Sequence, residues 1–405
     1  MRLPNAKKDI CCILSWFSES FSRPSFKVFS SYIVSFIQLG KEVHTASMVK
    51  TVSTVSLGKS LSCFTRFLGK NPWEVDEVMD LAIQRFFKTL HIKVRSPLFL
   101  LLDDTIHEKT GKKIPGCAWY KDHARNMASV FGHQWVLAGL LWKDSLMPFW
   151  ARLYHSQKTK GCGRFHTKIA LAQKMINTLK LPIPCKLYLL ADGWYWAKPL
   201  VQTCRNHGYH MISQLKSNSV VEIKGKRTRV TDLESSAGNY RDISLVLYGK
   251  EKNLKVAKWI GTIKDIGQVA LVVVKEKRKK SRYLVSTNIS LPALEILKYY
   301  ARRWKIEQMI KDLKQRLGFG EYQIRNLPGI QRHMAITLLS YFVLVMLKMI
   351  QKLKDSTASP ELSIRALAAL VRKNILMETI TITLKTMRVR FTQNILDSYL
   401  ERFAA

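Results

Sequence analysis

The sequence predicts an α/β protein in which a mixed sheet is flanked by helices, with further helical regions at both ends of the chain. Three observations support this class. Apolar runs of strand length alternate with helical patterns between residues 97 and 216, and helical spacing dominates before about residue 95 and after Leu291. The third observation is a tract of short alternating strands with basic turns, residues 217–280, which predicts a β-rich insertion.

The first 95 residues are predicted to be helical. Apolar residues recur at helical spacing in PSFKVFSSYIVSFIQLG, SLGKSLSCFTRFLG and WEVDEVMDLAIQRFFKTL, and Pro72 lies near the start of the last of these helices. Two short helices meeting at Gly58, in a basic and hydroxyl-rich segment, fit a helix-turn-helix-like DNA reader. They fit an ordinary helical bundle with a basic surface equally well.

The central region alternates between the two kinds of element. SPLFLLLDDT predicts a buried strand that stops at a charged edge, and CKLYLLADGWYW predicts another buried strand that ends in an acid. Further strands are predicted at GHQWVLAGLLW, LMPFWARLY, YHMISQLK and SRYLVSTN, and helices at FHTKIALAQKMINTLK and AKPLVQTCRNHG. Within 217–280, the segments RDISLVLYG, KVAKWIGTI and QVALVVVKEKRKK predict the strands of the insertion.

The charge balance points to a polyanionic partner. Lys and Arg total 66 against 29 acids, a net charge of +37 in 405 residues. Such an excess is repulsive in the folded state, so nucleic acid is the first candidate partner and an anionic membrane surface the second. The longest uncharged apolar stretch, residues 335–347, is shorter than the ~20 residues of a spanning helix, so a buried helix is expected and no membrane partner.

The cysteines indicate a reducing compartment. There are seven, an odd number, and none forms a CxxC pair. Neither a disulfide framework nor a zinc ribbon is therefore indicated, and a cytoplasmic protein is expected.

Three acids are candidates for a metal site. Asp104 and Asp192 each follow a buried strand, and strand ends in an α/β sheet gather ligand sites at one edge. Two neighbouring carboxylates repel unless a cation lies between them, and Mg²⁺ prefers such oxygen ligands. Glu307 is the best third candidate. The alternatives are a turn-capping acid pair at Asp103 and Asp104, and a surface pair of Glu307 with Lys311.

Glu307 lies in the basic, aromatic segment YYARRWKIEQMIKDLK, residues 299–314. On one continuous helix, Tyr300, Arg303, Glu307 and Lys314 fall within about 60° of each other, with Lys311 beside them. The adjoining face is apolar and comprises Ile306, Met309, Ile310, Leu313 and Leu317. Glu307 is therefore predicted to border the buried side of the helix.

The spacing of Tyr300, Arg303, Glu307 and Lys314 resembles the Y-x2-R-x3-E-x6-K motif, called YREK, of DDE-type insertion-sequence transposases. Arg303-Trp304-x-Ile306-Glu307 is similar to the RWxIE core of that motif. The resemblance also includes DDT at 103–105 and ADGWYW at 191–196, and it extends from about residue 97 to 326.

The resemblance implies an RNase H-like catalytic fold with a β-rich insertion between the second and third acids. It implies that Asp104, Asp192 and Glu307 are catalytic and hold Mg²⁺, with Mn²⁺ able to substitute. Asp104 is favoured over its rival Asp103 because the matched pattern places the acid directly before the threonine.

The resemblance further implies a set of DNA-binding residues. Tyr300, Arg303 and Lys314 would hold phosphates near the cut, and Lys311 falls where the family has an additional basic residue. Trp304 would stack on distorted bases. Tyr283 stands where close relatives have a Trp that receives a flipped base, a departure that leaves hairpin formation open.

As a whole, the resemblance implies a cut-and-paste transposase acting on double-stranded DNA with terminal inverted repeats and on target DNA, as a homodimer on paired ends, in the bacterial or archaeal nucleoid. The regions expected are 1–95 for DNA-end binding, 96–216 with 281–326 for catalysis, 217–280 as the insertion, and 327–405 for dimerisation. A structure-selective nuclease without strand transfer, and a non-catalytic DNA-binding derivative, are the alternatives.

Overall fold

A mixed sheet forms the centre of the fold. The computed structural model describes residues 6–42, 45–52, 59–122, 126–157, 159, 162–235, 240–247, 249–354 and 363–386. The strands are β1 (Pro97–Glu108), β2 (Ala118–Asp122), β3 (Ala128–Trp142), β4 (Ser145–Tyr154), β5 (Lys186–Leu190), β6 (His210–Leu215), β7 (Val220–Ile223), β8 (Lys226–Arg229), β9 (Arg241–Leu247), β10 (Lys250–Ile263), β11 (Gly267–Glu276) and β12 (Arg282–Ser286).

The helices lie at both ends of the chain and over the sheet. They are α1 (Ala6–Ser15), α2 (Arg23–Leu39), α3 (Ala46–Val52), α4 (Leu61–Gly69), α5 (Val75–Thr89), α6 (Lys168–Thr178), α7 (Lys198–Asn206), α8 (Ala293–Ala301), α9 (Trp304–Arg316), α10 (Leu327–Lys354) and α11 (Ile364–Thr386). Short 3₁₀ turns occur at Ser18–Ser20 and Asp232–Ser235.

The described strands form one sheet in the order β2-β3-β1-β5-β6-β12-β11-β10-β7-β8, with β4 paired to β3 and β9 paired to β10. Strand β5 runs parallel to β1 and β6, and the other described pairs are antiparallel. The predicted α/β class with a mixed sheet is confirmed. Strands β9 to β11, from the predicted β-rich tract, continue the same sheet through β12.

The first buried strand is longer than predicted. The expectation that it stops at the acid pair is wrong, because β1 continues to Glu108. The antiparallel partner β3 supplies backbone hydrogen bonds along this whole length, with Asp103 opposite Leu137 and Glu108 opposite Gly132. Asp103 and Asp104 therefore lie inside a strand, where successive side chains point to opposite faces of the sheet.

The segment from Tyr300 to Lys314 is not one helix. Helix α8 ends at Ala301 and α9 begins at Trp304, and the two residues between form turns in which the Arg302 and Arg303 N–H groups donate to Tyr299 and Tyr300. The expected continuous helix is therefore wrong at this point. Tyr300 belongs to α8, whereas Glu307 lies in the first turn of α9.

Helix α10 is the core of the helical part. It contacts α1, α2, α4 and α5 and also strand β4, so the N-terminal helices and the sheet share one hydrophobic core. By length and composition it is the one helix in the described residues that could cross a membrane, yet 83% of its most apolar window is buried inside the protein. The prediction of a buried helix at 335–347 is confirmed.

Two expectations fall outside the described residues. The junction at Gly58, on which the helix-turn-helix interpretation depends, is in the undescribed segment 53–58. The predicted C-terminal helices extend to about residue 400, of which 355–362 and 387–400 are not described.

Candidate active site

The two neighbouring aspartates of β1 have different surroundings. The Asp103 carboxylate accepts hydrogen bonds from Arg303 at 3.3 Å and from the backbone N–H of Asp104 at 2.9 Å. The Asp104 carboxylate instead accepts from Lys168 Nζ and Gln134 Nε2, each at 2.6 Å. Strand alternation explains this division, since one side chain faces α9 and the other faces α6.

Asp192 is placed beside Asp103 by strand register. The parallel strands β1 and β5 pair Leu101 with Leu190, so two residues further along each chain Asp192 comes level with Asp103, close enough for its charge to raise the Asp103 pKa. One Asp192 carboxylate oxygen accepts from the backbone N–H groups of Trp194 at 3.0 Å and Tyr195 at 3.4 Å. This turn fixes the carboxylate just beyond the end of β5.

Gly193 is required for this turn to approach the sheet. A Cβ at this position would lie 2.6 Å from the carbonyl oxygen of Gln214 on β6, which is closer than real Cβ contacts. Nearby, the Ser213 hydroxyl donates to the Asp192 carbonyl at 2.8 Å. The loop that carries Asp192 is therefore held tightly against the strand end.

Glu307 reaches the same region through Arg303. Helix α9 packs against β1 and β4, and the Arg303 guanidinium pairs with Glu307 through one nitrogen and with Asp103 through the other. The three side chains are mostly buried, with exposed fractions of 18% for Arg303, 20% for Asp103 and 31% for Glu307. Arg303 is thus a bridge between an acid of the sheet and the acid of the helix.

The electrostatics of the site favour bound positive charge. Burial, with smaller contributions from the nearby Asp104 and Asp192 carboxylates, raises the pKa of Asp103 to about 7 despite the opposing effect of Arg303. Burial, followed by the same three aspartates, raises the pKa of the Tyr195 hydroxyl well above its ordinary value. A cation near Asp103 and Asp192 would relieve this repulsion.

The other motif residues divide into buried and exposed ones. Tyr300 is buried, and Lys314 donates from Nζ to the Ile106 carbonyl of β1 at 2.8 Å, which holds α9 on the sheet. Lys311 and Trp304 are exposed. Tyr283 is only 7% exposed, packs in a second core over β11 and β12, and donates its hydroxyl to Glu234, so the structure does not bring it into the acid cluster.

Sequence reasoning missed the residues that surround Asp104. Lys168, Gln134 and Tyr195 come from α6, β3 and the loop after β5, and the Tyr195 hydroxyl donates to Asp104 at 3.3 Å. Tyr195 lies in the ADGWYW segment, which could have pointed to it. Lys168 and Gln134 carry no local signal in the sequence.

A divalent metal is the cation that the acids imply. Within the described residues, no three His, Cys, Asp or Glu side chains are close enough to form a ready metal cluster. Asp103, Asp192 and Glu307 nevertheless supply the hard oxygen donors that Mg²⁺ prefers, and Arg303 already provides positive charge between two of them. The chemistry of these residues fits a divalent cation if the guanidinium moves aside.

The mixed sheet, with one acid on β1, a second just beyond the parallel strand β5 and a third on helix α9 packed against β1, is an RNase H-like arrangement. Two family profiles match the chain: "DDE superfamily endonuclease" over residues 17–242 and "Transposase DDE domain" over residues 154–343. The first covers more than half of the sequence, so the chain belongs to the DDE superfamily of endonucleases. The predicted relationship is confirmed at this level, that of a transposase-type nuclease. A search of curated proteins finds no match.

Proposed function

We propose that the protein is a DNA transposase, which cleaves transposon ends and joins them to target DNA. The observation that carries this proposal is that Asp103 and Glu307 meet at Arg303, with Asp192 next to Asp103, in a chain with a net charge of +37. Neighbouring carboxylates can hold a divalent cation, and the basic helix beside them can bind phosphate. Together these features suit the hydrolysis and transesterification of phosphodiesters.

In this proposal Asp103 replaces Asp104 as the acid of β1. Asp103 lies level with Asp192, whose charge acts on it, and is linked to Glu307 by one guanidinium. Asp104 is on the other face, and its charge is already balanced by Lys168. The geometry therefore supports a metal-ligand role for Asp103 and a positioning role for Asp104, which ties β1 to α6 and to Tyr195.

Asp103, Asp192 and Glu307 would hold a divalent ion, Mg²⁺ with Mn²⁺ as a substitute. When bound, such an ion activates an attacking oxygen and stabilises the leaving one. With the acids holding such an ion, Arg303 would be available to a DNA phosphate, for which its planar fork is suited. Lys314 keeps α9 on β1, so Glu307 stays aligned with the strand acids, while exposed Lys311 and Trp304 contact DNA beside the site.

The DNA partners follow from the proposed reaction. They are duplex ends with terminal inverted repeats, and target DNA, handled by a homodimer that pairs two ends in the cytoplasmic nucleoid. Residues 1–95 are proposed to recognise the end and residues 327–405 to support dimerisation, around the catalytic region 96–216 with 281–326 and its insertion 217–280. Because Tyr283 is buried and bound to Glu234, a hairpin step that uses it would require this side chain to move.

A nuclease without strand transfer is the second candidate. The family profile that matches the larger part of the chain is described as an endonuclease. The two candidates differ only in the joining step. A labelled duplex carrying the inverted repeat that flanks the reading frame, incubated with plasmid target and Mg²⁺ or Mn²⁺, separates them. Joined product supports the transposase, and cleaved ends without joined product support the nuclease.

The acids are tested in the same assay. Asp103→Asn, Asp192→Asn and Glu307→Gln keep side-chain size and should each lose cleavage and joining, while a gel shift shows that the DNA is still bound. Asp104→Asn is the matched control, since it changes the neighbouring carboxylate on the opposite face, and it should keep measurable cleavage. Full cleavage by Glu307→Gln, or loss in Asp104→Asn with retention in Asp103→Asn, would contradict the assignment.

A further inference from the structure

An exposed tryptophan follows Asp192 in the chain. Trp194 is 51% exposed, although tryptophan is normally among the best-buried side chains. Its backbone N–H donates to the Asp192 carboxylate at 3.0 Å. The turn that fixes the acid therefore also fixes the backbone from which the Trp194 side chain extends. Exposed tryptophans thus occur on two acid-bearing segments, since Trp304 lies three residues before Glu307.

The Trp194 ring is supported from within the protein. Lys168 Nζ lies 5.1 Å from the ring centroid, and the Tyr195 ring stands nearly perpendicular to it with centroids 5.0 Å apart. Lys168 is itself held by Asp104 and is only 15% exposed in its side chain. A cation and a second ring therefore hold the indole in place, and half of its surface remains open to solvent.

We propose that Trp194 is a stacking site for an unpaired nucleobase of the DNA strand that enters the acid site, with Lys168 as its supporting cation. This inference rests on the proposed function, because it requires DNA to lie across Asp192. An aromatic face beside a phosphate-processing acid can bind any base, since every base has a π-face. In an intact duplex the base faces are stacked on each other, so Trp194 favours DNA that is unpaired next to the cut.

The experiment measures binding, so it does not depend on cleavage. Labelled single-stranded DNA is titrated into the full chain, beside an oligonucleotide of the same length in which abasic sites keep the phosphates and remove the bases. Trp194→Ala should weaken binding of the normal oligonucleotide by roughly 5- to 150-fold and leave binding of the abasic one nearly unchanged. Trp194→Phe should retain most of the affinity for the normal oligonucleotide, because it keeps an aromatic face.

Trp119 provides the matched control. It is 69% exposed on strand β2, and Trp119→Ala should leave both affinities unchanged. A 2-aminopurine base in the normal oligonucleotide should be quenched by the wild type and not by Trp194→Ala. Equal losses in the Trp194 and Trp119 variants, or an equal loss on abasic DNA, would overturn the stacking site while leaving the proposed function in place. If the wild type binds neither oligonucleotide nor duplex ends, both fail.

Discussion

Replacing Asp103 by asparagine should stabilise the metal-free protein above neutral pH. In the folded chain, burial raises the pKa of Asp103 from its ordinary value of 3.8 to about 7. Between these values the folded state holds a proton that the unfolded state has released. Stability therefore falls as the pH rises through this window, and the whole penalty is present above about pH 7.

The size of the effect follows from that interval. At about 1.4 kcal/mol for each pH unit, a pKa raised from 3.8 to about 7 corresponds to roughly 4 kcal/mol. The side chain is 20% exposed, so solvent screening reduces this figure, and we expect about 2 kcal/mol. Asparagine has no charge to desolvate, and its oxygen can still accept the hydrogen bond from Arg303. For a chain of this size the gain is a rise of a few degrees in melting temperature.

Thermal unfolding in the presence of a chelator tests this reasoning. At pH 8 the Asp103→Asn variant should melt above the wild type, and at pH 5 the difference should shrink. Asp104→Asn is the control and should melt lower at both pH values, because it loses the ion pair with Lys168. If Asp103→Asn melts at or below the wild type at pH 8, the charged Asp103 carboxylate does not destabilise the folded protein.

Adding divalent ions extends the same measurement. Mg²⁺ or Mn²⁺ should raise the melting temperature of the wild type and of Asp104→Asn, because a ligand that binds only the folded state stabilises it. The Asp103→Asn variant should show little response. The reverse pattern would make Asp104 the ligand.

Three further predictions concern the fold and the charge. Gly320→Ala should lower the melting temperature, because φ is +84° and the added Cβ would lie 2.3 Å from the His107 ring; an unchanged value would show that this contact relaxes freely. A chain that starts at Ser96 should aggregate, since α10 would expose the surface that packs against the N-terminal helices. A folded fragment that elutes as a single monodisperse species in size-exclusion chromatography would contradict this. DNA affinity should fall with salt at a log–log slope of about −0.9 for each phosphate neutralised, and a flat response would exclude an electrostatic interface.

The sequence allowed Asp192 to be placed because its surroundings are local. A buried apolar run, an acid and a glycine follow each other directly in the sequence. The parallel pairing of β5 with β1 then brings Asp192 level with Asp103. The surroundings that distinguish Asp103 from Asp104 are not local, since Arg303 reaches Asp103 from the start of α9, whereas Lys168 reaches Asp104 from α6. The end of β1 is not local either, because its partner β3 begins 20 residues after β1 stops.

Arg303 and Lys168 show two other limits. The turns between α8 and α9 interrupt the helix without disturbing the sequence spacing of the motif, so periodicity alone could not reveal that Tyr300 and Glu307 belong to different helices. Lys168 reaches Asp104 from 64 residues away in the chain, and the pairing exists only once α6 has packed over the sheet. Long-range contacts of this kind leave no periodic pattern to detect.

The central position of α10 also constrains how the protein emerges from the ribosome. Four of the first five helices, α1, α2, α4 and α5, bury their apolar faces partly against α10, which is translated only after all the described strands of the sheet. From residue 89 to residue 327 the ribosome adds roughly 240 residues, which takes ~10–50 s at about 5–20 residues per second. Throughout that interval the nascent N-terminal helices present uncovered aromatic surface. Newly made chains should therefore depend on chaperones, and prematurely terminated chains should be degraded rather than compete for DNA.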